Sequence, residues 1–354
     1  MKLASSPKSP SRAIASGAAL IGLMLGASSA LADDAKELRI FNWGGYTAPD
    51  LVAKFEKETG IKVTVDTYDS NETLLAKLSA GSAGYDIAVA SADFVPIMIE
   101  QGLIQPVDIA ALKNYGNLAP EWKDRAWDPG NRYSIVWNWG TTSAMVDTAV
   151  YKGPLDSLAV LFDPPAELQG KIGMSGATSE VVSLALVYLG KPQCTAEMED
   201  LKALSALLEK QKPFVKTYDA AGIAERLGAG EVAAAEAWSG AAYQARQQRA
   251  SLAYVYGKEG VYGWADNVVV PKTAAHVENA KLFIDFLMNP ENAAILSNYT
   301  GSQNGITGSG AFMTPALASA PEINPPKGET IVFGKVCPPE ATKAYERIMT
   351  KVRS

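Results

Sequence analysis

Four of the seven tryptophans, Trp43, Trp139, Trp238 and Trp264, stand at the ends of strand-like runs or at breaks between them. Indole is the best aromatic partner for a cation, at ~0.5–1 kcal/mol when exposed and ~2 or more when desolvated. Its flat face also packs methylene chains. In Trp264-Ala265-Asp266 a ring stands beside a carboxylate. That combination suits an ammonium group, which the carboxylate neutralises and the ring covers. Each residue also has a structural reading. A lone tryptophan fills cores, and Asp266 can brace its own loop. Glu180, at a helix start, is either a ligand carboxylate or a charge favoured by the helix dipole. Asp93 and Asp219 sit where helices begin and can cap them. Tyr46 and Tyr218 can donate to a ligand or serve the fold. Arg226 can hold a carboxylate bidentately or lie solvated on its helix.

The elements that must position these groups follow from periodicity. Leu38–Trp43 reads as a buried strand, broken by Gly44 and Gly45. Pro49 opens a helix carrying Leu51, Val52 and Phe55 that stops at Gly60. Residues 61–65 alternate as a strand, a helix carries Leu74, Leu75 and Leu78, and 87–89 is the next strand. This rhythm predicts parallel pairing with helical crossovers. The runs 133–139 and 143–146 are strand-like and separated by Gly140-Thr141-Thr142, a crossing between lobes. Further strands are expected at 232–237 and 267–270, the latter ended by Pro271 as a second crossing. Helices are expected at 180–189, 196–211, after Ser239 as cap, 277–288, 291–298 and 341–352. In open α/β sheets ligands sit beyond the carboxyl ends of strands, which singles out Trp43, Tyr46, Ser91, Asp93, Trp139, Trp238, Trp264 and Asp266.

The chain has 354 residues, 47% of them apolar and 20% charged, with a net charge of −6. Disorder is excluded on composition, and nucleic acid is an unsuitable partner for an acidic surface. One histidine and two cysteines leave no room for a His-based metal site, a Ser/His/Asp triad or a cysteine-rich zinc centre. Gly173-Met174-Ser175-Gly176 is not a nucleophile elbow, and Gly228-Ala229-Gly230 has no third glycine. His276 reads as a surface residue. No cofactor and no metal are expected.

Residues 1–32 read as a secretory leader. Lys2, Lys8 and Arg12 precede a short apolar run, and Ala30-Leu31-Ala32 fits a cleavage site after Ala32. Losing those three bases takes the net charge from −6 to −9, a mild bias toward a cationic solute. Export permits a Cys194–Cys337 disulfide, the alternative being two buried thiols.

Phe41-Asn42-Trp43-Gly44-Gly45-Tyr46, Phe55-Glu56-Lys57-Glu58-Thr59-Gly60-Ile61-Lys62-Val63 and Tyr68-Asp69-Ser70-Asn71-Glu72-Thr73 resemble the periplasmic spermidine/putrescine-binding proteins of ABC importers. The likeness continues through Tyr85-Asp86, Ser91, Trp139-Gly140, Lys258-Glu259-Gly260, Asp266 and 283–291. The resemblance implies a two-lobed α/β fold with discontinuous lobes joined by a hinge, here 33–141 with 265–310 and 142–264 with 311–354. It implies a monomer that binds an amine in the cleft and delivers it to an inner-membrane permease. Trp43 and Tyr46 would line the cleft, Ser91 would add a hydroxyl, Glu180 would receive an ammonium, Trp238 and Trp264 would form walls, and Asp266 would anchor the principal ammonium. Two positions depart from the pattern. Gly45 and Ala177 stand where acids are expected, which removes anchors for a long polyamine and favours a diamine, a monoamine or an amino acid derivative. Asp93 or Asp219 could replace a missing anchor. A zwitterion is the rival ligand, its carboxylate met by Arg226 or the Gly44–Gly45 amides. A periplasmic enzyme using paired carboxylates is a third reading, without a supporting motif.

Overall fold

A computed structural model describes residues 36–81, 84–219 and 222–354. The leader over 1–32 and its Ala32 cleavage point lie outside the described residues. Among those residues the strands are β1 (Glu37–Trp43), β2 (Lys62–Tyr68), β3 (Ile87–Ser91), β4 (Ser134–Asp147), β5 (Ile172–Met174), β6 (Val215–Tyr218), β7 (Ala234–Trp238), β8 (Leu252–Val255), β9 (Val261–Val269) and β10 (Ile331–Phe333). The helices are α1 (Pro49–Thr59), α2 (Asn71–Ser79), α3 (Val95–Glu100), α4 (Ala159–Phe162), α5 (Thr178–Tyr188), α6 (Met198–Gln211), α7 (Ile223–Ala229), α8 (Ser239–Gln248), α9 (Val277–Leu287), α10 (Pro290–Thr300), α11 (Pro315–Ala318) and α12 (Pro339–Arg353).

The first βαβαβ run forms as its punctuation dictates. Pro49 supplies the fixed φ of a first helical turn, and Gly60, at φ 73°, closes α1 by donating its N–H to Glu56. Leu51 and Phe55 face inward, each fully buried and worth ~1.5–3 kcal/mol. Ser70 caps α2 by accepting the Thr73 N–H. β1 then pairs in parallel with β2 and β3.

β4 and β9 join the two halves. They run antiparallel from Ser134 opposite Val269 to Thr142 opposite Tyr262. β3 flanks β9 at one end, while β7 and β8 flank β4 at the other. Each strand therefore serves two cores. Ile135, Trp137 and Val268 pack with Leu38, Phe55 and Phe283, whereas Ala144 and Val146 pack with Ile172, Leu184 and Met349. This is the two-lobed α/β architecture with discontinuous lobes.

Several expectations are corrected. Gly140-Thr141-Thr142 does not interrupt a strand, because these residues carry the ladder to β9. Gly140 is there for space, since a Cβ would lie 2.5 Å from the Trp264 ring and 2.5 Å from Ser239 Oγ. The return crossing lies inside β9, which begins at Val261 and not at Asn267. Asp93 does not cap α3, whose N-cap is Phe94 with no side-chain bond. Asp219 does not cap α7, which starts from Gly222 in the left-handed region. Ser239 is the first residue of α8 and not its cap, and its hydroxyl accepts the Thr141 N–H. His276 is not a surface residue. Its ring is 15% exposed and bonded to buried Asp86, which also accepts the backbone N–H groups of His276 and Arg39. The short strands β5, β6, β8 and β10 escaped periodicity.

Cys194 and Cys337 are joined by a disulfide. It ties the loop after α5 to the segment between β10 and α12. Among the described residues no helix is long and apolar enough to cross a membrane.

Candidate functional site: an acidic cleft walled by indoles

Asp266 sits at the centre of β9, opposite Ser91 on β3 and Asn138 on β4. Ser91 Oγ donates to its Oδ1 at 2.9 Å, and Tyr46 Oη, from the loop after β1, donates to its Oδ2 at 3.0 Å. The carboxylate is 8% exposed. Burial pushes its pKa up to about 6 against the pull of those two donors, and the charge of Asp93 raises it further. An ammonium would relieve that cost.

A cavity of about 810 Å³ runs between the lobes, with Ser91, Trp264 and Ala265 beside this group in its wall. Trp43, Ser91, Asp93, Glu180, Trp238, Trp264 and Asp219 all line it. Trp43 leans on Tyr68, ring centres 4.5 Å apart. Its charged wall residues are Asp69, Glu72, Asp93, Glu180, Asp219 and Glu346, against one base, Lys335, among the described residues. Asp266 and Tyr46 do not line the cavity; Asp266 lies behind Ser91, to which it is bonded, and Tyr46 is bonded to Asp266. Asp93 occupies the turn before α3, and its carboxyl is raised by burial and by the nearby charge of Glu72. Its own charge is felt at Asp266 and at Tyr262, which also senses Glu180.

At the other end, Glu180 is the third residue of α5. Trp238 Nε1 donates to Glu180 Oε1 at 2.8 Å, and Ser175 Oγ donates to Oε2. Burial raises this carboxyl while the two donors pull it down. The indole of Trp238 is 37% exposed, so it offers both a ring face and a fixed carboxylate.

The remaining candidates fall elsewhere. Trp139 packs against Trp122, ring centres 5.3 Å apart, and donates its indole N–H to the Asn304 carbonyl. It serves the first core. Arg226, its side chain partly exposed, forms an ion pair with Asp219 at 3.3 Å and does not line the cavity. Tyr218 is half-buried and does not line the cavity, its ring 5.7 Å beneath Arg353. Gly45, at φ 70°, is not a wall residue, whereas Ala177 is. Position 177 is therefore part of the cleft wall.

Sequence reasoning missed Glu236 on β7, buried behind Glu180. The signal was present: one acid inside Ala233-Ala234-Ala235-Glu236-Ala237, on a strand otherwise apolar.

A two-lobed α/β chain with an acidic, indole-walled cleft along its crossing strands defines a solute receptor. A profile of bacterial extracellular solute-binding proteins matches residues 50–325. The putrescine-binding periplasmic protein SpuD of Pseudomonas aeruginosa is 33% identical, the alignment covering 96% of this chain and 98% of that one. The spermidine/putrescine-binding periplasmic protein of Escherichia coli is 35% identical over 88% of this chain and 90% of its own. A solved structure described as a putative spermidine/putrescine ABC transporter from Listeria monocytogenes superposes with a TM-score of 0.80 at 32% identity, covering 90% of this chain and 99% of that one. The chain belongs to the bacterial extracellular solute-binding protein family. It is a solute-binding protein and not an enzyme.

Proposed function

We propose that the mature chain is the periplasmic receptor of an ABC importer for a small amine of the putrescine/spermidine type. The observation that carries this reading is one cavity lined by Trp43, Trp238 and Trp264 together with Asp93 and Glu180, with Asp266 bonded to Ser91 of its wall. An ammonium seated near Asp266 gains a carboxylate already oriented by Ser91 and Tyr46. The indoles cover the methylene chain, and Glu180 meets a second cation. Relatives with putrescine and spermidine in their names support the ligand class.

In this reading the leader is removed after Ala32. Residues 33–141 with 265–310 form one lobe, and 142–264 with 311–354 the other. The lobes close about 138–142 of β4 and 263–266 of β9, where each strand passes from one core to the other. Ligand contacts from both sides favour the closed form. The closed monomer then presents the solute to an inner-membrane permease.

Calorimetric titration with 1,4-diaminobutane, spermidine and 4-aminobutanoate tests the proposal. Saturable binding of the diamine with none of the amino acid supports it. Binding of 4-aminobutanoate without either polyamine overturns it.

A further inference from the structure

We propose that Glu236 is a positioning residue for the Glu180 end of the cleft: coupled to Glu180 through Ser175, it lets a second ammonium bind there by giving up a proton. This rests on the amine reading above and names the ligand class of that end, a dication with ammonium groups at both termini.

Alternation along β7 puts Glu236 and Trp238 on the same face. Glu236 is 4% exposed and does not line the cavity. The Ser175 N–H donates to its Oε2 at 2.9 Å. Ser175 Oγ, which accepts the Ala177 N–H at 3.1 Å, donates to Glu180 Oε2. One serine thus holds a buried carboxyl with its backbone and the cleft carboxyl with its side chain. Glu236 Oε1 has no hydrogen-bond partner among the described residues.

A buried, half-satisfied carboxylate beside a second carboxylate is costly, and the proton is what removes the cost. Among the described residues, the charges felt at Glu236 are those of Glu180 from α5 and Arg353 from α12. Its ladder partner on β4 is Ala144, and neither that residue nor Ala235 beside it on β7, which pairs with Gly173 of β5, titrates. Burial, and then the charge of Glu180, push the Glu236 carboxyl up to about 8, and Arg353 offsets part of this. In the empty receptor at neutral pH Glu236 carries a proton. An ammonium paired with Glu180 cancels the repulsion and attracts a second negative charge behind it. The O–H bond of Glu236 then breaks heterolytically, the carboxylate keeps the electron pair, and the proton passes to buffer. A monoamine held at Asp266 leaves Glu236 protonated.

The test is calorimetric titration at about pH 7.5 in two buffers of unlike ionisation enthalpy, with 1,4-diaminobutane and n-butylamine as probes. The wild type should release on the order of half a proton or more per diamine and clearly less per monoamine. Its diamine affinity should rise several-fold between neutral pH and about pH 9. Glu236→Gln should lose both the extra release and that rise. Infrared difference spectra of the unaltered protein remove dependence on how the variant folds. The diamine should bleach a protonated-carboxyl carbonyl band that the monoamine leaves in place. Diamine binding with undiminished proton release in Glu236→Gln, or without the infrared bleach in the wild type, overturns the Glu236 assignment alone. A wild type that binds no diamine overturns the amine reading and this proposal with it.

Discussion

Ser91 and Asp266 stand opposite each other on adjacent antiparallel strands, and the Ser91 hydroxyl donates to the Asp266 carboxylate at 2.9 Å. With Tyr46 supplying the second donor, a carboxylate is held ready and largely dehydrated behind the Ser91 wall of the cleft before any ligand arrives. Such preorganisation costs stability and returns affinity.

Asp266→Asn separates the two. Removing the charge should cost at least ~2 kcal/mol of amine binding, roughly thirtyfold in affinity. The ligand-free protein should be as stable as the wild type at neutral pH, or more so. Isothermal calorimetry and urea unfolding give both numbers. Retained affinity would remove Asp266 from the site.

The pH dependence follows from the same group. Its ordinary pKa is 3.8 and its folded value about 6, so the folded state holds the proton more tightly than the unfolded chain. This contribution to the stability of the empty receptor is present below about pH 4 and is lost as pH rises through 6. It amounts to ~3 kcal/mol. Ligand binding needs the ionised form, so amine affinity should fall about tenfold per pH unit below 6. Tyr46→Phe removes a donor that pulls the pKa down, and should move this acid limb to higher pH. A limb that stays in place in Tyr46→Phe would contradict the assignment.

Gly140→Ala should damage both fold and binding. The added methyl would lie 2.5 Å from the Trp264 ring and 2.5 Å from Ser239 Oγ, so one of them must shift. Overpacking of this kind costs ~1–3 kcal/mol, and displacing Trp264 deforms a cleft wall. Denaturant midpoint and amine affinity should fall together. A drop in the midpoint with binding intact would show that Trp264 is not a ligand contact.

The Cys194–Cys337 bond closes a span of 143 residues. In the chain-entropy account, a loop that long stabilises by ~4–5 kcal/mol. The double variant Cys194→Ser/Cys337→Ser should lose stability on that scale in urea, as should the reduced wild type. Both cysteines are at the cleft wall, so amine affinity in the variant reports whether the tie also shapes the site. An unchanged urea midpoint would contradict the stabilising role.

The local elements with strong punctuation were readable from residues alone. Pro49 and Gly60 bracket α1, and the strand–helix alternation up to Ser91 requires parallel pairing. β5, β6, β8 and β10 were not readable. Runs of three or four residues carry too little periodicity to separate from loop, and their pairing depends on partners distant in the chain. The same holds for the continuity of β4, because a glycine in mid-strand looks like a break until a neighbouring indole explains it.

The site divides along the same line. Residue type and position at a strand end were enough to select Trp43, Ser91 and Trp238, because strand ends in an α/β sheet converge on one crevice, whereas Trp264 and Asp266 were selected for their chemistry and lie inside β9. Tertiary structure alone decided that Trp139 serves the core, that Arg226 is tied to Asp219, that Asp93 faces the cleft, and that Glu236 lies buried behind Glu180. Those outcomes depend on which side chains meet in the folded chain, whether near in sequence as Arg226 and Asp219 or far apart as Trp139 and Asn304, and on how much water is excluded when they do. Sequence spacing encodes neither quantity, whereas the chemistry available at each position is carried by the residue itself.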